Sequence, residues 1–108
     1  MNKIFKKIIY IISIICLLYS HVSSEEKIKI GLLVPLTGDD SSLGQSIIKA
    51  TKMALKDIGT DNIEIYPKDT NSNPTQTLSS ASEFKDMGIN IVIGPVFHKN
   101  LIYLNELN

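Results

Sequence analysis

The chain has 108 residues, with eleven lysines, no arginine, eleven acidic residues and a formal charge of zero, so it holds one small domain at most and is too short for a two-lobed receptor. An apolar fraction of 44% with six Gly and four Pro is that of a folding chain and excludes a disordered tail or a collagen-like repeat. The zero charge leaves no electrostatic footprint for nucleic acid.

Lys3, Lys6 and Lys7 precede an apolar run from Ile8 to Tyr19, interrupted only by Ser13, and small and polar residues follow from Ser20 to Ser24. This is the order of regions in a secretory signal peptide, predicted over residues 1–24. A membrane anchor is the competing reading, but a spanning helix needs ~20 apolar residues and this run falls well short. Val22 and Ser24 supply the small pair before a cut that leaves Glu25 as the mature N-terminus. Cys16, the single cysteine, follows Ile15 rather than a small residue, so lipidation is not expected. Its removal with the signal leaves no thiol for disulfides, metal ligation or nucleophilic catalysis. The remaining residues 25–108 carry eight lysines against eleven acids, a net of minus three that disfavours anionic membranes and nucleic acid. No stable membrane anchor is expected after cleavage.

Lys27 to Val34 begins with alternating Ile28 and Ile30 and passes into Leu32, Leu33 and Val34, a strand buried on both faces at its far end. Thr37 to Ser41 is turn chemistry. Ser42 and Gln45 have capping-box spacing, which predicts a helix from Leu43 with Leu43, Ile47, Ala50, Ala54 and Ile58 inward, Ile48 and Leu55 widening the stripe, and Gly59 as a left-handed cap. A second strand from Asn62 to about Lys68 alternates Ile63 and Ile65 with Glu64 and Tyr66, and Pro67 suits an edge position. Asn73 and Pro74 form a cap and first-turn pair. They open a helix to Met87 with Leu78, Ala81 and Phe84 or Lys85 inward, stopped by Gly88. Ile89 to Ile93 reads as a central parallel strand closed by Gly94 and Pro95. Phe97 to Asn108 then opens a third helix with Leu101, Ile102 and Leu104 as its apolar set.

Helical links of this length favour a parallel sheet with right-handed crossovers. The predicted class is α/β, a three-layer, doubly wound βαβαβ unit with the start of a third helix. The loops after parallel strands share one edge, so Pro35 to Ser42, Asp69 to Asn73 and Gly94 to Lys99 converge there, where a ligand crevice belongs.

Nucleotide motifs fail. Gly38 and Gly44 are separated by five residues where the phosphate loop has four, with Gln45 in place of the loop lysine, and Gly31 and Gly38 lack the dinucleotide glycine step. Adjacent Asp39 and Asp40 read as a solvated turn rather than a metal-binding pair. Asp69, at a strand end, either accepts a hydrogen bond from a ligand's ammonium or hydroxyl or bonds to the next loop's backbone. His98 stands at the crevice edge without a partner for general-base work or a ligand set for a metal, and reads as a surface or capping residue. Thr37, Ser41 and Ser42 lack the nucleophile elbow that a triad with His98 and Asp69 requires. The sequence therefore predicts no enzyme, no metal and no cofactor. Without arginine, an anionic group is held by backbone N–H groups at helix starts near Ser42 or Phe97.

Taken together, Ile28-Lys-Ile-Gly-Leu-Leu-Val-Pro-Leu-Thr-Gly, Leu43-Gly-Gln, Met53-Ala-Leu, Asp69-Thr, Asn73-Pro and Ile91-Val-Ile-Gly-Pro resemble the opening of the leucine-binding-protein-like family, the type I periplasmic binding fold. The resemblance covers essentially all of residues 25–108. Leu43-Gly-Gln, the short link from Ile58 to Ile63 and Tyr66-Pro-Lys-Asp-Thr look most like the bacterial penicillin-binding protein activators. The resemblance implies the N-terminal part of lobe 1 of an exported, non-enzymatic binding protein. Its implied partner is a peptidoglycan synthase in the activator branch; in the alternative branch it is an ABC permease, together with a branched-chain or other small amino-acid-like ligand. Leu36, Thr37, Ser41, Ser42, Asp69, Val96, Phe97 and His98 are the cleft-lining positions this implies. Transport receptors commonly carry hydroxyl residues after the Gly-Pro step to hold the amino acid's carboxylate, whereas Val96, Phe97, His98 and Lys99 stand there in this chain.

Overall fold

The computed structural model describes residues 2–18 and 25–107. An N-terminal helix α1 (Lys3–Leu18) is followed by β1 (Ile28–Val34), α2 (Ser41–Ile58), β2 (Ile63–Asp69), α3 (Pro74–Asp86) and β3 (Ile91–Ile93). Two 3₁₀ turns, His98–Leu101 and Leu104–Leu107, come last. The apolar run after the first lysines thus forms a helix, while Tyr19 and the proposed cleavage residues Val22 and Ser24 lie outside the described residues. No helix among the described residues is long and apolar enough to cross a membrane.

The three strands form one parallel sheet in the order β2-β1-β3. Ile30 pairs with Ile65 on one side and Ile91 on the other, and Val34 pairs with Asp69. This is the predicted α/β architecture. It corrects one placement: β1, not the strand at Ile91, is central, and β3 is an edge whose three residues are all exposed. The connections β1-α2-β2 and β2-α3-β3 step in opposite directions along the sheet, and the right-handed rule for parallel crossovers then puts α2 and α3 on opposite faces.

The α3 face holds the core. Leu33, Ala81, Phe84 and Ile89 are buried together, with Tyr66, Leu104 and Leu107 packed around them. Phe84 is fully buried against Gly31, where a Cβ would stand 2.7 Å from the ring. Burying a side chain of this kind is worth ~1.5–3 kcal/mol. The rest of the inner side of α3 is polar and satisfied: the hydroxyls of Thr77 and Ser80 donate to the carbonyls of Asn73 (2.8 Å) and Asp69 (2.6 Å). Asn73 caps α3 as expected, its side chain accepting from the N–H groups of Thr75 and Gln76.

On the other face, α2 differs from expectation in two respects. It begins at Ser41, two residues early, and Asp40 occupies the cap position without a side-chain cap bond, so the capping box at Ser42 does not form. Its inner side is also rotated. Gly44 is the buried residue and Ile47, Ile48, Thr51 and Leu55 are half-buried, while Leu43, Ala50, Ala54 and Ile58 from the expected stripe are exposed, Leu43 and Ile58 at 40% and 67%. The cause is Gly44, which lies so close to the Pro35 carbonyl that a Cβ would come within 1.6 Å of its oxygen. A backbone contact available only to glycine fixes which side of α2 meets the sheet. Gly59 ends α2 in the left-handed conformation (φ 68°), as its position predicted.

The third helix expected from Phe97 is instead the pair of 3₁₀ turns. Leu104 and Leu107, three apart and eclipsed in such a turn, both reach the core cluster, and the Lys85 ammonium donates to the Leu107 carbonyl at 2.6 Å. Leu101 and Ile102, expected inside, are exposed.

Candidate functional site

Parallel strands deliver their following loops to one edge, and β1 and β2 end in register at Val34 and Asp69. The Thr70 N–H continues the ladder to the Val34 carbonyl at 2.9 Å. That leaves the Asp69 side chain beside the loop that leaves β1. Its Oδ1 accepts from the N–H groups of Leu36 (2.7 Å), Thr37 (3.3 Å) and Asn71 (2.8 Å), and its Oδ2 accepts the Thr37 hydroxyl at 2.5 Å. A reciprocal link runs the other way, from the Ser72 hydroxyl to Asp40 Oδ2 at 2.6 Å. Each loop therefore contributes a carboxylate to the other. Asn71 and Ser72 adopt positive φ (45° and 47°), a region L-residues visit at a cost, and these bonds hold them there.

Partial burial raises the pKa of Asp69, but the hydrogen bonds from the Thr37 hydroxyl and the three backbone N–H groups outweigh it and hold the carboxyl below its usual range. Asp69 is thus ionised at neutral pH and acts as an acceptor only. Of its two sequence readings, the structure displays the bond to the neighbouring loop's backbone.

The structure brings Leu36, Thr37, Ser41, Ser42 and Asp69 together around the ends of β1 and β2. Thr37 and Ser42 are exposed, and Leu36, Ser41 and Asp69 are half-buried. The third loop begins at the same edge, where Gly94 sits against the Leu33 carbonyl. Val96 and His98 are exposed along it, and Phe97 is half-buried with the Lys99 ammonium 5.6 Å from its ring centre. Among the described residues no hydrogen bond joins this loop to the other two. Asp40, read from sequence as a solvated turn residue, is instead part of the loop brace through Ser72; the two are 32 positions apart and no local motif signals the pairing. No group of three or more His, Cys, Asp or Glu able to hold a metal occurs among the described residues. A cavity of about 430 Å³ lies at the opposite, amino-terminal edge of the sheet, lined by Lys27, Lys29, Met87 and Asn90, away from these loops.

A parallel α/β sheet with cross-braced loops gathered at its strand ends has the architecture in which open α/β proteins bind ligands beyond the carboxyl ends of their strands. The chain belongs to the periplasmic binding protein family, whose model matches residues 27–101. That family is of the ligand-binding type and typically non-enzymatic. Among solved structures the chain is similar to the leucine-binding protein LivK of Thermotoga maritima MSB8, at a TM-score of 0.66 and 23% identity over 74% of this chain and 24% of that one. It is also similar to full-length LpoA of Haemophilus influenzae, at a TM-score of 0.60 and 28% identity over 81% of this chain and 15% of that one. The chain therefore spans a quarter or less of the length of these two structures. No curated protein matches it.

Proposed function

We propose that this chain forms the first part of lobe 1 of an exported, non-enzymatic binding protein, with residues 1–24 as a cleaved signal peptide and residues 25–108 as the partial lobe. In this reading Leu36, Thr37, Ser41, Ser42, Asp69, Val96, Phe97 and His98 line the face that meets a ligand or partner in the periplasm. The observation that carries it is the brace between the first two strand-end loops, within the segment that matches the family. Three hydrogen bonds from the first loop to Asp69 and one from Ser72 to Asp40 tie the two loops together and preorganise the surface they form.

Within that class the reading is activator-like, a docking partner of a peptidoglycan synthase. It is supported by the short link Gly59–Asn62 between α2 and β2 and by the likeness to LpoA, a penicillin-binding protein activator. A second reading, the solute-binding subunit of an ABC importer for an amino acid, is favoured by the higher TM-score to LivK. Calorimetry of the secreted chain against free amino acids, in parallel with co-purification using a purified peptidoglycan synthase, separates the two. Saturable synthase binding without amino-acid heat supports the activator reading. Amino-acid heat without synthase binding replaces it with the importer reading, and an assay showing substrate turnover contradicts both.

A further inference from the structure

The stretch from Pro95 to Leu107 is held to the α3 face at its two ends. At one end Gly94 is wedged against the Leu33 carbonyl, where a Cβ would stand 2.5 Å from the oxygen. At the other, Leu104 and Leu107 reach the core cluster and the exposed Lys85 ammonium donates to the Leu107 carbonyl. In between, two 3₁₀ turns of four residues each offer poorer hydrogen-bond geometry than an α-helix and little length over which to add to it. Two further features oppose closure. Asn100 is buried, yet neither its side-chain nitrogen nor its side-chain oxygen has a hydrogen-bond partner. Its own N–H bonds to the Phe97 carbonyl, so the unmet demand is the side chain's. The turn that carries it packs against α3, where the buried hydroxyls of Thr77 and Ser80 have spent their single protons on the carbonyls of Asn73 and Asp69 and cannot donate to Asn100. An amide in this position has given up water without compensation and recovers it when the segment lifts. The second feature is a groove of about 360 Å³ lined by Leu33, Ala81, Ile89, Val92, Leu104 and Leu107. The two leucines thus meet the core along one side only, and the dispersion contacts of a closed interior are not made on the other.

We infer that residues 95–107 form a strap that opens from the α3 face as one unit while the sheet, α2 and α3 stay folded, and that the buried Asn100 amide sets how often it opens. Opening wets that amide and uncovers the groove beside Ile89 and Val92. It also carries Phe97 and His98 away from the first two strand-end loops, to which no hydrogen bond holds them among the described residues. The strand-end edge is then fixed on the side braced by Asp69 and Asp40 and adjustable on the side of the strap. The inference stands on the packing of the segment itself and holds whichever partner the edge meets.

Amide hydrogen exchange of the ¹⁵N-labelled chain, read residue by residue, tests it. The N–H groups of Asn100 and Glu106, bonded within the strap to Phe97 and Tyr103, report its opening. Those of Thr70 and Ile89, bonded to Val34 and Phe84, report the rest of the fold. Corrected for intrinsic rates, the first pair should exchange about tenfold or more faster than the second. Asn100→Leu, which puts an apolar side chain of similar size in place of the amide, should slow exchange at positions 100 and 106 together by about tenfold, the effect of relieving one unsatisfied buried polar group. Lys85→Met removes the tether at an exposed position, with no repacking of the interior, and should speed both together severalfold. It decides the matter if leucine at position 100 prevents folding. Equal protection of all four amides overturns the inference, because the strap then opens only with the whole domain. A folded Asn100→Leu chain with faster exchange at position 106 overturns it too, and so does a Lys85→Met chain in which one strap amide responds and the other does not, the mark of single turns fraying.

Discussion

Replacing Gly44 with alanine sets two effects of opposite sign against each other. In an exposed helix interior Gly→Ala stabilises by ~1 kcal/mol, because alanine loses less backbone entropy. At Gly44 the new Cβ would meet the Pro35 carbonyl oxygen at 1.6 Å and its carbon at 2.7 Å. Both are backbone atoms at the end of the central strand, so neither can rotate aside. Restoring ordinary contact requires α2 to withdraw by roughly 2 Å, and overpacking of this kind costs ~1–3 kcal/mol or more. The withdrawal also loosens the half-buried contacts of Ile48, Thr51 and Leu55 and pulls on the loop that Asp69 holds. The net expectation is a loss of about 1 kcal/mol or more, which in a domain this small lowers Tm by about 5 °C or more. Urea denaturation followed by far-ultraviolet circular dichroism measures it, with Ala50→Gly on the exposed side of α2 as the propensity control, expected to cost ~1 kcal/mol. A Gly44→Ala chain as stable as the parent, or more stable, would refute the reasoning that this glycine seats α2.

The other predictions concern the loops and the open edge. The folded-state pKa of Asp69 is depressed, so its contribution to stability is fully present above the unfolded-state pKa and is lost as pH falls through the folded one. Urea midpoints should therefore drop on the acid side in the parent and drop less in Asp69→Asn; parallel curves would remove Asp69 from the account. Asn73→Ala deletes an acceptor for two α3 N–H groups and should cost ~1 kcal/mol, read from the same urea transition. The exposed apolar β3 edge should make the chain associate as concentration rises, and Ile93→Lys should suppress this in sedimentation velocity; a parent that stays monomeric would contradict it.

The parts of the fold legible in the sequence are those set by local chemistry. Asn73-Pro74 caps a helix, Gly59 ends one, and the run Leu32 to Val34 is buried on both faces, because each depends on residues a few positions away. The seating of α2 was legible only in part: Ile47, Ile48 and Leu55 follow the hydrophobic periodicity, whereas the same periodicity favours Leu43 and Ile58, and one glycine contact with Pro35 turns the helix to Gly44 and Thr51 instead. The inner side of α3 was legible only in part. Ala81 and Phe84 stand out as apolar, whereas Thr77 and Ser80 are buried because their hydroxyls bond back to carbonyls at the preceding loop. At the candidate site, the strand-end position of Asp69 followed from the strand and helix order. The bond to a neighbouring loop's backbone was one of its two readings, but the particular donors Leu36 and Thr37 were not legible, because they lie 33 and 32 positions away across the sheet. The stretch after Phe97 has the composition of a helix, yet it places Leu104 and Leu107 on the core through a tighter turn.

The proposed function requires the strand-end edge to be the face through which the chain meets its partner. A photo-crosslinking residue placed at Ser42, on that edge, and separately at Lys29, near the opposite end of β1, tests this in cells producing the full chain. The account predicts a discrete adduct from Ser42 that an antibody to a peptidoglycan synthase recognises, and none from Lys29. An adduct from Lys29 alone, or none from Ser42, would contradict it.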